Sequence, residues 1–433
     1  MKILFKNSRI LTMKDENIIE ANLVVKDNRI AYIGKDYSKF APFDREIECH
    51  RNLLMPGFKN AHAHSAMVFL RGKADDVPLQ EWLFDNVFPY EANLQPTDVY
   101  YLNKIAYLEY LTSGITAIFD HYFYPAELAR ASEEFGIRSL LLVMPDETKY
   151  SMQDIFNLYH RYNNDKDSLV KIRIGFHAEY TADEETFARA IEAIETLKSP
   201  FFTHISETEK EVKECIGRYN MPPAKYIYQR GLFKYGGGAY HCVHFTDEEA
   251  KIFKDNNLTI VTCPCSNAKL ASGVAPLMKY YEMGINVAIG TDGPASNNGL
   301  DMFKEMYLAA SLNKLDCKDA KAIPAFEFLK MATVNGARAM GLDDADVLEE
   351  GKLADIIMID LSQPNMQPLN NIVTNLVYAG SKENVVLTMI NGKILYENGK
   401  FFLKENLEDI YKNAKIVADR LERDTKNNEN FLW

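Results

Sequence analysis

The clearest chemical signal in the chain is a pair of histidines with a distant aspartate. His62 and His64 are separated by one alanine, and side chains two positions apart on a β-strand share one face, so both imidazoles can reach the same ion. Asp292 ends another apolar run, in the segment GTDG. With a third histidine from a further strand end, this set offers three neutral imidazoles and one carboxylate. Such donors hold a zinc-like divalent ion and leave one position open for water. The ion lowers the pKa of that water to about 7.

The elements that must position these residues are short apolar runs that alternate with helix-length segments. There are eight such runs between residues 53 and 293: LLMPGF, GITAIFDH, IRSLLLVM, VKIRIGFHA, SPFFTHISE, GGAYHCVH, LTIVTCPCS and INVAIGTDG. This alternation is typical of βαβ units, and eight of them predict an α/β protein with a (β/α)8 TIM-type barrel over residues 56–346. A doubly wound open sheet would instead carry a glycine-rich phosphate-binding turn after its first strand, where this chain has His-Ala-His.

In a barrel of this kind the reactive side chains lie at the carboxyl ends of the strands. The polar residues at the predicted ends are His62, His64, Asp120, His121, His177, His204, Glu207, His241 and Asp292. Six of the nine histidines of the chain fall there, which is more than a random scatter would place. The strand ends therefore predict one site at the mouth of the barrel.

The two ends of the chain have a different pattern, in which polar and apolar residues alternate with a period of two. Residues 1–55 read as strands in hairpins, and residues 347–402 repeat the pattern with the turn dipeptides Asn391-Gly392 and Asn398-Gly399. A few strands cannot enclose a core alone. We therefore expect both segments to pair into one small β-sandwich domain, followed by a helical tail over residues 403–433.

Composition narrows the function classes. The net charge is −12, so we expect neither nucleic acid nor a membrane as a partner. No apolar run reaches the roughly 18 residues that a membrane helix needs, and the first residues lack the pattern of a signal peptide. Six cysteines without the spacing of a disulfide framework indicate reduced thiols in a cytoplasmic protein. The close pair Cys263 and Cys265 fits buried thiols better than a metal site.

Several segments resemble the amidohydrolase superfamily in their order and strand placement. They are PGFKNAHAHSAMVFLRG, PLQEWL, THISETEKE, HCVHFTDEE, TCPCSNAKLASGVAP, GTDGPASNN, MATVNGARAMGL and GKLADIIMID. The resemblance covers nearly the whole chain and is closest to the 5-methylthioadenosine/S-adenosylhomocysteine deaminases and their chlorohydrolase relatives. It implies that His62, His64, His204 and Asp292 hold one divalent metal ion, Zn2+ in the first place, with Fe2+ or Mn2+ as alternatives. It also implies a homo-oligomer, either a dimer or a tetramer.

A single ion also fits the fourth strand. Two-metal members of the superfamily bridge their ions with a carboxylated lysine on that strand. Here the strand ends in His177, and Lys171 lies near its start, far from the mouth. His177 is therefore better interpreted as a substrate contact.

The resemblance gives catalytic roles to Glu207, His241 and Asp292. Hydrolytic deamination of an aromatic amidine needs a ring nitrogen to be protonated while hydroxide attacks the adjacent carbon, and a carboxylic acid can carry that proton. This role falls to Glu207, which would thereby also contact the substrate. His241 and Asp292 would orient the attacking water and accept its second proton. The alternative for Glu207 is a solvated carboxylate at the start of a helix that also carries Glu209 and Glu211.

Three residues are candidate substrate contacts. Glu91, in FPYEANL, matches the family glutamate that binds both ribose hydroxyls, and Trp82, in PLQEWL, could wall the pocket against a flat base. His177 would complete recognition of a nucleoside. The structural alternatives are a solvated helix residue for Glu91 and packing under a loop for Trp82.

Two further histidines near strand ends have weaker interpretations. His121 either supports the metal ligands from behind or packs against the core. His244 is better interpreted as a helix-entry residue, because Thr246 and Glu249 form a capping box directly after it.

The segment beyond the third strand departs from the family pattern. Deaminases of S-adenosylhomocysteine are expected to use an arginine there, whereas LLLVMPDETKYSMQDIFNLYHR has none before Arg161 and offers only Lys149 nearby. A lysine binds a carboxylate as a point charge and does not replace a bidentate guanidinium. We therefore give more weight to 5'-methylthioadenosine, 5'-deoxyadenosine or adenosine than to S-adenosylhomocysteine.

The sequence thus predicts a metal-dependent hydrolase of C–N bonds other than peptide bonds in cyclic amidines. It would convert a 6-amino purine nucleoside to the inosine analogue and ammonia. Other candidate substrates are guanine, 8-oxoguanine, cytosine and s-triazines; a guanine-class pocket needs an arginine for the purine carbonyl, for which Arg71 is the only candidate close to the metal motif. A non-catalytic binding member of the fold is a further alternative, which Glu207 and His241 disfavour.

Overall fold

The structure, a computed structural model, describes residues 1–73, 75–145, 150–166 and 168–429. Its strands are β1 (Lys2–Leu11), β2 (Ile18–Lys26), β3 (Arg29–Gly34), β4 (Arg45–Glu48), β5 (Leu53–Pro56), β6 (Phe58–Ala63), β7 (Ile115–His121), β8 (Arg138–Val143), β9 (Val170–Ala178), β10 (Phe201–Ile205), β11 (Gly237–His241), β12 (Thr259–Thr262), β13 (Asn286–Ile289), β14 (Ile356–Ile359), β15 (Val385–Ile390), β16 (Lys393–Glu397) and β17 (Lys400–Phe401).

Most of the helices lie between the strands of the central part of the chain. They are α1 (Leu79–Glu81), α2 (Phe88–Glu91), α3 (Pro96–Thr112), α4 (Pro125–Phe135), α5 (Met152–Asn163), α6 (Glu184–Leu197), α7 (Glu209–Tyr219), α8 (Pro223–Gln229), α9 (Asp247–Asp255), α10 (Pro264–Lys269), α11 (Leu277–Glu282), α12 (Met302–Cys317), α13 (Ala325–Ala332), α14 (Val334–Met340), α15 (Ile372–Tyr378) and α16 (Leu407–Glu429). Short 3-10 turns span Ser38–Phe40, Ser65–Leu70, Pro364–Met366 and Lys382–Asn384, and a π-helical turn spans Trp82–Val87. Within the described residues, no helix is both long and apolar enough to cross a membrane.

Eight parallel strands form the central sheet, in the order β13-β12-β11-β10-β9-β8-β7-β6. The order follows the chain because each crossover returns the backbone to the same end of the sheet. The sheet closes at a seam, where a parallel bridge joins Ala63 to Asp292 and the Asp292 amide donates to the His62 carbonyl at 3.0 Å. Asn60 Nδ2 donates to Thr291 Oγ1 at 2.7 Å in the same seam. The prediction of a (β/α)8 barrel is confirmed.

Strands from both ends of the chain form a second, mixed sheet. Its order is β17-β16-β15-β14-β5-β1-β2-β3, and β4 pairs with β1. The two chain ends meet where β14 pairs antiparallel with β5, which sets Ile356 opposite Pro56. Side chains from both branches, among them Phe5 and Leu387, pack into a buried cluster of their own. The prediction that both termini build one β-domain is confirmed.

The run LLMPGF is divided between the two sheets. Leu53–Pro56 is β5 of the terminal sheet, and the first barrel strand begins only at Phe58. Gly57 makes the break, because a Cβ at this position would collide with the side chain of Thr116 and its amide donates to the Asp355 carbonyl at 3.1 Å. The expectation that the whole run forms the first barrel strand is therefore wrong, since a close backbone approach at the glycine separates two strands.

Three buried charged residues, the base cluster, join the barrel to the terminal sheet at the amino ends of the strands. They are Lys59, Arg138 and Asp355. Arg138 donates to Asp355 from Nε at 2.7 Å and from Nη2 at 3.0 Å, and the Asn391 amide donates to the same carboxylate at 2.7 Å. Lys59 Nζ donates to the Gly57 carbonyl at 2.8 Å and to a threonine hydroxyl at 3.0 Å. Each charge of the base cluster is thus hydrogen-bonded.

The last helix, α16, packs against α3 and α2. Its Glu422 contacts Lys73 and lies 3.2 Å from the hydroxyl of Tyr90. These two partners flank the segment that carries α1 and the π-helical turn, so α16 supports that segment from outside. The division of the chain into 1–55 with 347–402, 56–346 and 403–433 stays a prediction.

Candidate metal centre and active site

Three imidazoles and one carboxylate meet at the mouth, the carboxyl end of the barrel. Nε2 of His204, near the end of β10, lies 3.1 Å from Nε2 of His62 and 3.3 Å from Nε2 of His64. Oδ1 of Asp292 lies 3.4 Å from Nε2 of His62 and 3.2 Å from Nε2 of His64. The four predicted ligands, which come from the first, fifth and last barrel strands, therefore point to one centre.

The spacing of these atoms fits one tetrahedral ion. Donor atoms bound at about 2.0–2.1 Å in this geometry lie about 3.3 Å apart, close to the separations found here. Two unprotonated imidazole nitrogens at such a separation repel each other unless a cation lies between them. A set of imidazoles with one carboxylate suits zinc. The ligand atom of His241 also approaches the centre, within 4.8 Å of those of His62, His204 and Asp292.

Two backbone carbonyls fix the orientation and the tautomer of two of these histidines. Nδ1 of His64 donates to the His121 carbonyl at 2.5 Å, and Nδ1 of His204 donates to the His177 carbonyl at 2.6 Å. Because Nδ1 carries the proton in each ring, the lone pair of Nε2 faces the centre. His121 thus supports the centre through its main chain.

His62 is held by an aromatic ring instead. Its imidazole stacks on Tyr240 with the ring centroids 3.7 Å apart, and its Nδ1 has no hydrogen-bond partner among the described residues. Burial lowers the pKa of His62 to about 3, so the ring is neutral at pH 7, which is the form that binds a metal. Tyr240 directly precedes His241 in β11, and the sequence reasoning did not single it out.

Asp292 is fixed by two hydroxyl groups. Its Oδ2 accepts hydrogen bonds from Ser266 Oγ at 2.6 Å and from Ser296 Oγ at 2.7 Å, which leaves Oδ1 turned toward the imidazoles. Burial favours the neutral carboxyl, yet contact with His62 and His64 holds the pKa of Asp292 well below its ordinary value. The residue has a φ of 58°, a left-handed conformation that non-glycine residues adopt mainly where the surrounding structure imposes it.

Glu207 and His241 face each other beside the four ligands. Oε2 of Glu207 lies 3.7 Å from Nε2 of His241, and Oε1 accepts a hydrogen bond from Ser272 Oγ at 3.2 Å. Nδ1 of His241 donates to Asn267 Oδ1 at 2.8 Å, which leaves Nε2 as the ring nitrogen that faces Glu207. Glu207 is only 7% exposed, and burial raises its pKa. A solvated carboxylate is therefore the wrong interpretation of this residue.

Four polar side chains that position the site were missed by the sequence reasoning. They are Ser266, Asn267, Ser272 and Ser296. All four lie in TCPCSNAKLASGVAP or GTDGPASNN, segments that resemble the superfamily. The residue types alone carry no signal, because serine and asparagine are common in any turn.

A cavity of about 250 Å3 opens from the metal centre. The predicted site residues on its wall are His64, Trp82, Glu91, His177, His204, Glu207, His241 and Asp292. The rest of its wall is mainly apolar or aromatic and includes Met67, Leu79, Leu83, Val87, Phe88, Tyr122, Phe123, Met144, Phe176, Tyr180 and Leu270. The structure thus brings all three candidate substrate contacts into the same space as the candidate catalytic groups.

The three candidate substrate contacts differ in how they are held. Trp82, in the π-helical turn, is 6% exposed. Glu91 lies close to Tyr122, and the pKa of this tyrosine is raised well above its ordinary value by burial and by the Glu91 carboxylate. His177 Nδ1 is 3.1 Å from Thr181 Oγ1, and burial lowers the pKa of His177 to about 3. Their roles toward a substrate stay predictions.

Some residues considered from the sequence lie apart from this cavity. Arg71 pairs with Glu109 at 2.6 Å and does not line the cavity wall described above, which removes the candidate for a guanine-class pocket. Lys149 lies outside the described residues. Cys263 and Cys265 are buried free thiols, as predicted.

Comparisons with known proteins agree with this architecture. The sequence model of the Amidohydrolase family matches residues 53–395 of this chain. A 5-methylthioadenosine/S-adenosylhomocysteine deaminase from Thermoanaerobacter pseudethanolicus is 40% identical over 97% of this chain and 100% of that protein. A 5'-deoxyadenosine deaminase from Methanosphaera stadtmanae is 38% identical over 97% of this chain and 99% of that protein.

A solved structure gives the same result. An adenosine deaminase from Xanthomonas campestris with bound zinc superposes with a TM-score of 0.90 at 30% identity, covering 97% of this chain and 98% of that one. The resemblance inferred from the motifs is confirmed. With the matched segment, the closed barrel and the converging histidines in place, we assign this chain to the Amidohydrolase family.

Proposed function

We propose that the protein is a metal-dependent aminohydrolase that converts 6-amino purine nucleosides to their inosine analogues and ammonia. The observation that carries this proposal is the pairing of Glu207 with His241 directly beside the centre formed by three imidazoles and Asp292. A buried carboxyl with a raised pKa can donate a proton, and an imidazole nitrogen next to it can accept one.

His62, His64, His204 and Asp292 would hold the ion, with Zn2+ as first choice and Fe2+ or Mn2+ as alternatives. When bound, the ion would act as a Lewis acid and lower the pKa of water to about 7. The protein residues then handle the protons. Glu207 takes the first proton of the attacking water and delivers it to the ring nitrogen next to the attacked carbon, as the resulting hydroxide adds to that carbon.

The amino group leaves once it has also gained a proton. Nε2 of His241 and the carboxylate of Asp292 orient the attacking water and take up its second proton, and one of them passes this proton to the departing amine. The carbon–nitrogen bond then breaks to give ammonia, and the ring keeps the oxygen as a carbonyl. Because Glu207 serves to protonate the ring, its presence favours an amine as the leaving group over chloride.

The walls of the cavity favour a nucleoside with a small apolar 5' group. In this proposal the Glu91 carboxylate accepts hydrogen bonds from the two ribose hydroxyls, Trp82 covers the flat base and His177 completes recognition. No arginine or lysine lies on the cavity wall formed by the described residues, so the carboxylate of an amino-acid tail finds no cationic side chain on that part of the wall. This favours 5'-methylthioadenosine, 5'-deoxyadenosine or adenosine over S-adenosylhomocysteine.

The proposal is tested with Glu207→Gln, which keeps the size of the side chain but removes the acid. We expect the variant to keep its metal and to lose at least about a hundredfold in kcat on 5'-methylthioadenosine, measured by ammonia release. Glu209→Gln, an exposed carboxylate at the start of the helix that follows Glu207, is the matched control and should keep wild-type turnover. Wild-type turnover in Glu207→Gln would contradict the proposed acid.

Glu91→Ala tests the nucleoside part of the proposal. We expect a larger loss of kcat/KM on ribosides than on the free base adenine, because only ribosides present the two hydroxyls. Glu91→Gln keeps an acceptor oxygen and should lose less. Equal losses on ribosides and on adenine would remove Glu91 from ribose binding.

We also propose a cytoplasmic homo-oligomer, a dimer or a tetramer. Six free thiols, five of them buried, support a reducing compartment. Exposed apolar side chains such as Leu315 and Ile416 support contact between copies. Light scattering on the purified protein tests the assembly, and a monomer at all concentrations would contradict it.

A further inference from the structure

The turn between β10 and α7 presents Glu207 to the site. In this turn Ser206 has a φ of 53°, in the left-handed region that favours glycine. The Ser206 carbonyl accepts a hydrogen bond from the amide of His244 at 2.9 Å, which ties the turn to the loop that follows His241. The side chain of Glu207 itself has one close hydrogen bond, from Ser272 at 3.2 Å. Its position therefore depends on how its backbone is held.

The backbone of Glu207 is held by the carboxylate of Glu211. Oε1 of Glu211 accepts a hydrogen bond from the Ser206 amide at 2.6 Å, and Oε2 accepts one from the Glu207 amide at 2.8 Å. Glu211 is 4% exposed and is not among the residues of the cavity wall. The two oxygens of this buried carboxylate thus fix the backbone amides of Ser206 and Glu207.

Glu249, in α9, is a second buried glutamate near the start of a helix and can be compared with Glu211. Thr246 and Glu249 have the same spacing as Thr208 and Glu211, and both glutamates occupy the third position of their helices. Glu249 accepts from the Thr246 amide at 2.8 Å, which caps its own helix, and from the Ala224 amide at 3.0 Å, near the start of α8.

Glu211 reaches further back than a capping residue does. Thr208 caps the helix by accepting from the Glu211 amide, yet the Glu211 carboxylate binds the amides of Ser206 and Glu207. A carboxylate that only capped the helix would bind the Thr208 amide, as Glu249 binds that of Thr246. Glu211 therefore fixes the backbone of Glu207, the proposed proton-transferring residue, and not the first turn of its own helix.

We propose that Glu211 is a positioning residue that holds the left-handed turn at Ser206 and thereby sets the Glu207 carboxyl opposite His241. The inference rests on the proposed function, because it assigns Glu211 an effect through Glu207. Glu211 does not touch the substrate. A displacement of about 1 Å in a catalytic group can lower turnover by about a hundredfold, so loss of this anchor should be visible in kcat.

The test compares Glu211→Ala with Glu249→Ala. Each variant removes a buried carboxylate that accepts two backbone amides at the start of a barrel helix, so each should lower the melting temperature. We expect Glu211→Ala to lower kcat by about tenfold to a hundredfold, with KM within about twofold and metal content unchanged. Glu249→Ala should keep kcat within about twofold. Equal losses of kcat in the two variants would overturn the proposal.

Two further variants keep the test decisive. Glu211→Gln keeps one acceptor oxygen and should lose less kcat than Glu211→Ala; if the alanine variant does not fold, Glu211→Gln and Glu249→Gln are compared by the same criterion. Adding Ser206→Gly to Glu211→Ala should restore part of kcat, because glycine adopts the left-handed turn without strain. A restored melting temperature without any recovery of kcat would also overturn the proposal.

A double variant separates this inference from the proposed function. If Glu211 acts through Glu207, then Glu211→Ala should have little further effect on kcat in the Glu207→Gln background. Additive losses of kcat would reject the positioning role while leaving the proposed acid intact. Wild-type turnover in Glu207→Gln alone would reject the proposed acid, and the positioning role with it.

Discussion

The mouth and the base cluster lie at opposite ends of the same eight strands, and both bury ionisable groups. In the base cluster, Arg138 and Asp355 share two hydrogen bonds and Lys59 donates to two oxygens. At the mouth, Nε2 of His204 lies 3.1–3.3 Å from Nε2 of His62 and of His64, and Oδ1 of Asp292 lies 3.2–3.4 Å from the same two atoms. At the base cluster, other protein groups pair with the buried charges. At the mouth, the imidazole nitrogens and Oδ1 of Asp292 face each other with no donor from the described residues between them.

This difference separates the two tasks of the barrel. Removing one partner of a buried ion pair leaves the other charge uncompensated and costs about 3–5 kcal/mol. A cluster of acceptors is unfavourable for the protein alone, and a cation relieves it. Changes at the mouth should therefore alter metal content and turnover, whereas changes at the base should alter stability.

The largest effect is expected at the mouth. His204→Ala removes one of four donors and should lower both metal content and turnover, with a loss in kcat/KM of at least about a thousandfold, since the ion contributes several kcal/mol to catalysis. Metal analysis and ammonia release measure the two effects. His160→Ala, an exposed helix histidine, is the control and should match the wild type. A His204→Ala variant with full metal content would break the comparison.

At the base, Arg138→Met should destabilise the fold by about 3–5 kcal/mol, because it leaves the Asp355 carboxylate buried without its partner. Denaturant unfolding measures the loss, and kcat of the folded protein should stay within about twofold. Arg130→Met breaks an exposed pair with Glu127 and should cost less than about 1 kcal/mol. A large loss of kcat in Arg138→Met without a loss of stability would contradict the separation.

A smaller effect is expected where hydroxyls hold the Asp292 ligand. Ser296→Ala removes one of the two donors to Oδ2, so metal affinity should fall by about 10- to 100-fold in competition with a chelator. Ser132→Ala removes a buried hydroxyl on a barrel helix away from the mouth and should leave metal affinity unchanged. Equal affinities in Ser296→Ala and the wild type would mean that Ser266 alone fixes Asp292.

The last expected effect is a pH dependence at the base, which is gradual and spread over more than two pH units. Burial lowers the pKa of Lys59 to about 8 from 10.5. Between these pH values the unfolded chain binds more protons than the folded one, so the free energy of unfolding rises with pH. The wild type should therefore gain stability relative to Lys59→Met above pH 8, by at most about 1.4 kcal/mol per pH unit.

Much of the fold could be predicted because its signals are local. Apolar runs with polar ends mark the barrel strands, and the spacing of His62 and His64 is that of a strand face. The division at Gly57 could not be read in the same way, because it depends on the approach of Thr116 from a strand more than fifty residues away. A local pattern does not contain such contacts.

The site was predictable to the same extent. The residue types and positions of the metal ligands and of Glu207 already indicate their chemistry. The roles of Ser266, Ser296 and Asn267 depend on contacts across the barrel that the sequence does not show. Glu211 shows the limit most clearly, because it has the same local sequence pattern as Glu249 but a different set of partners. The capping box at Thr246 was predicted and is confirmed.

The seam between the first and last barrel strands has a consequence for how the protein is made. Asn60 and Thr291 are 231 residues apart, and the metal donors lie on both sides of their contact. During synthesis the donors near residue 62 leave the ribosome long before Asp292 exists. A nascent chain therefore has only part of a chelating site, and a complete one arises when the last strand docks.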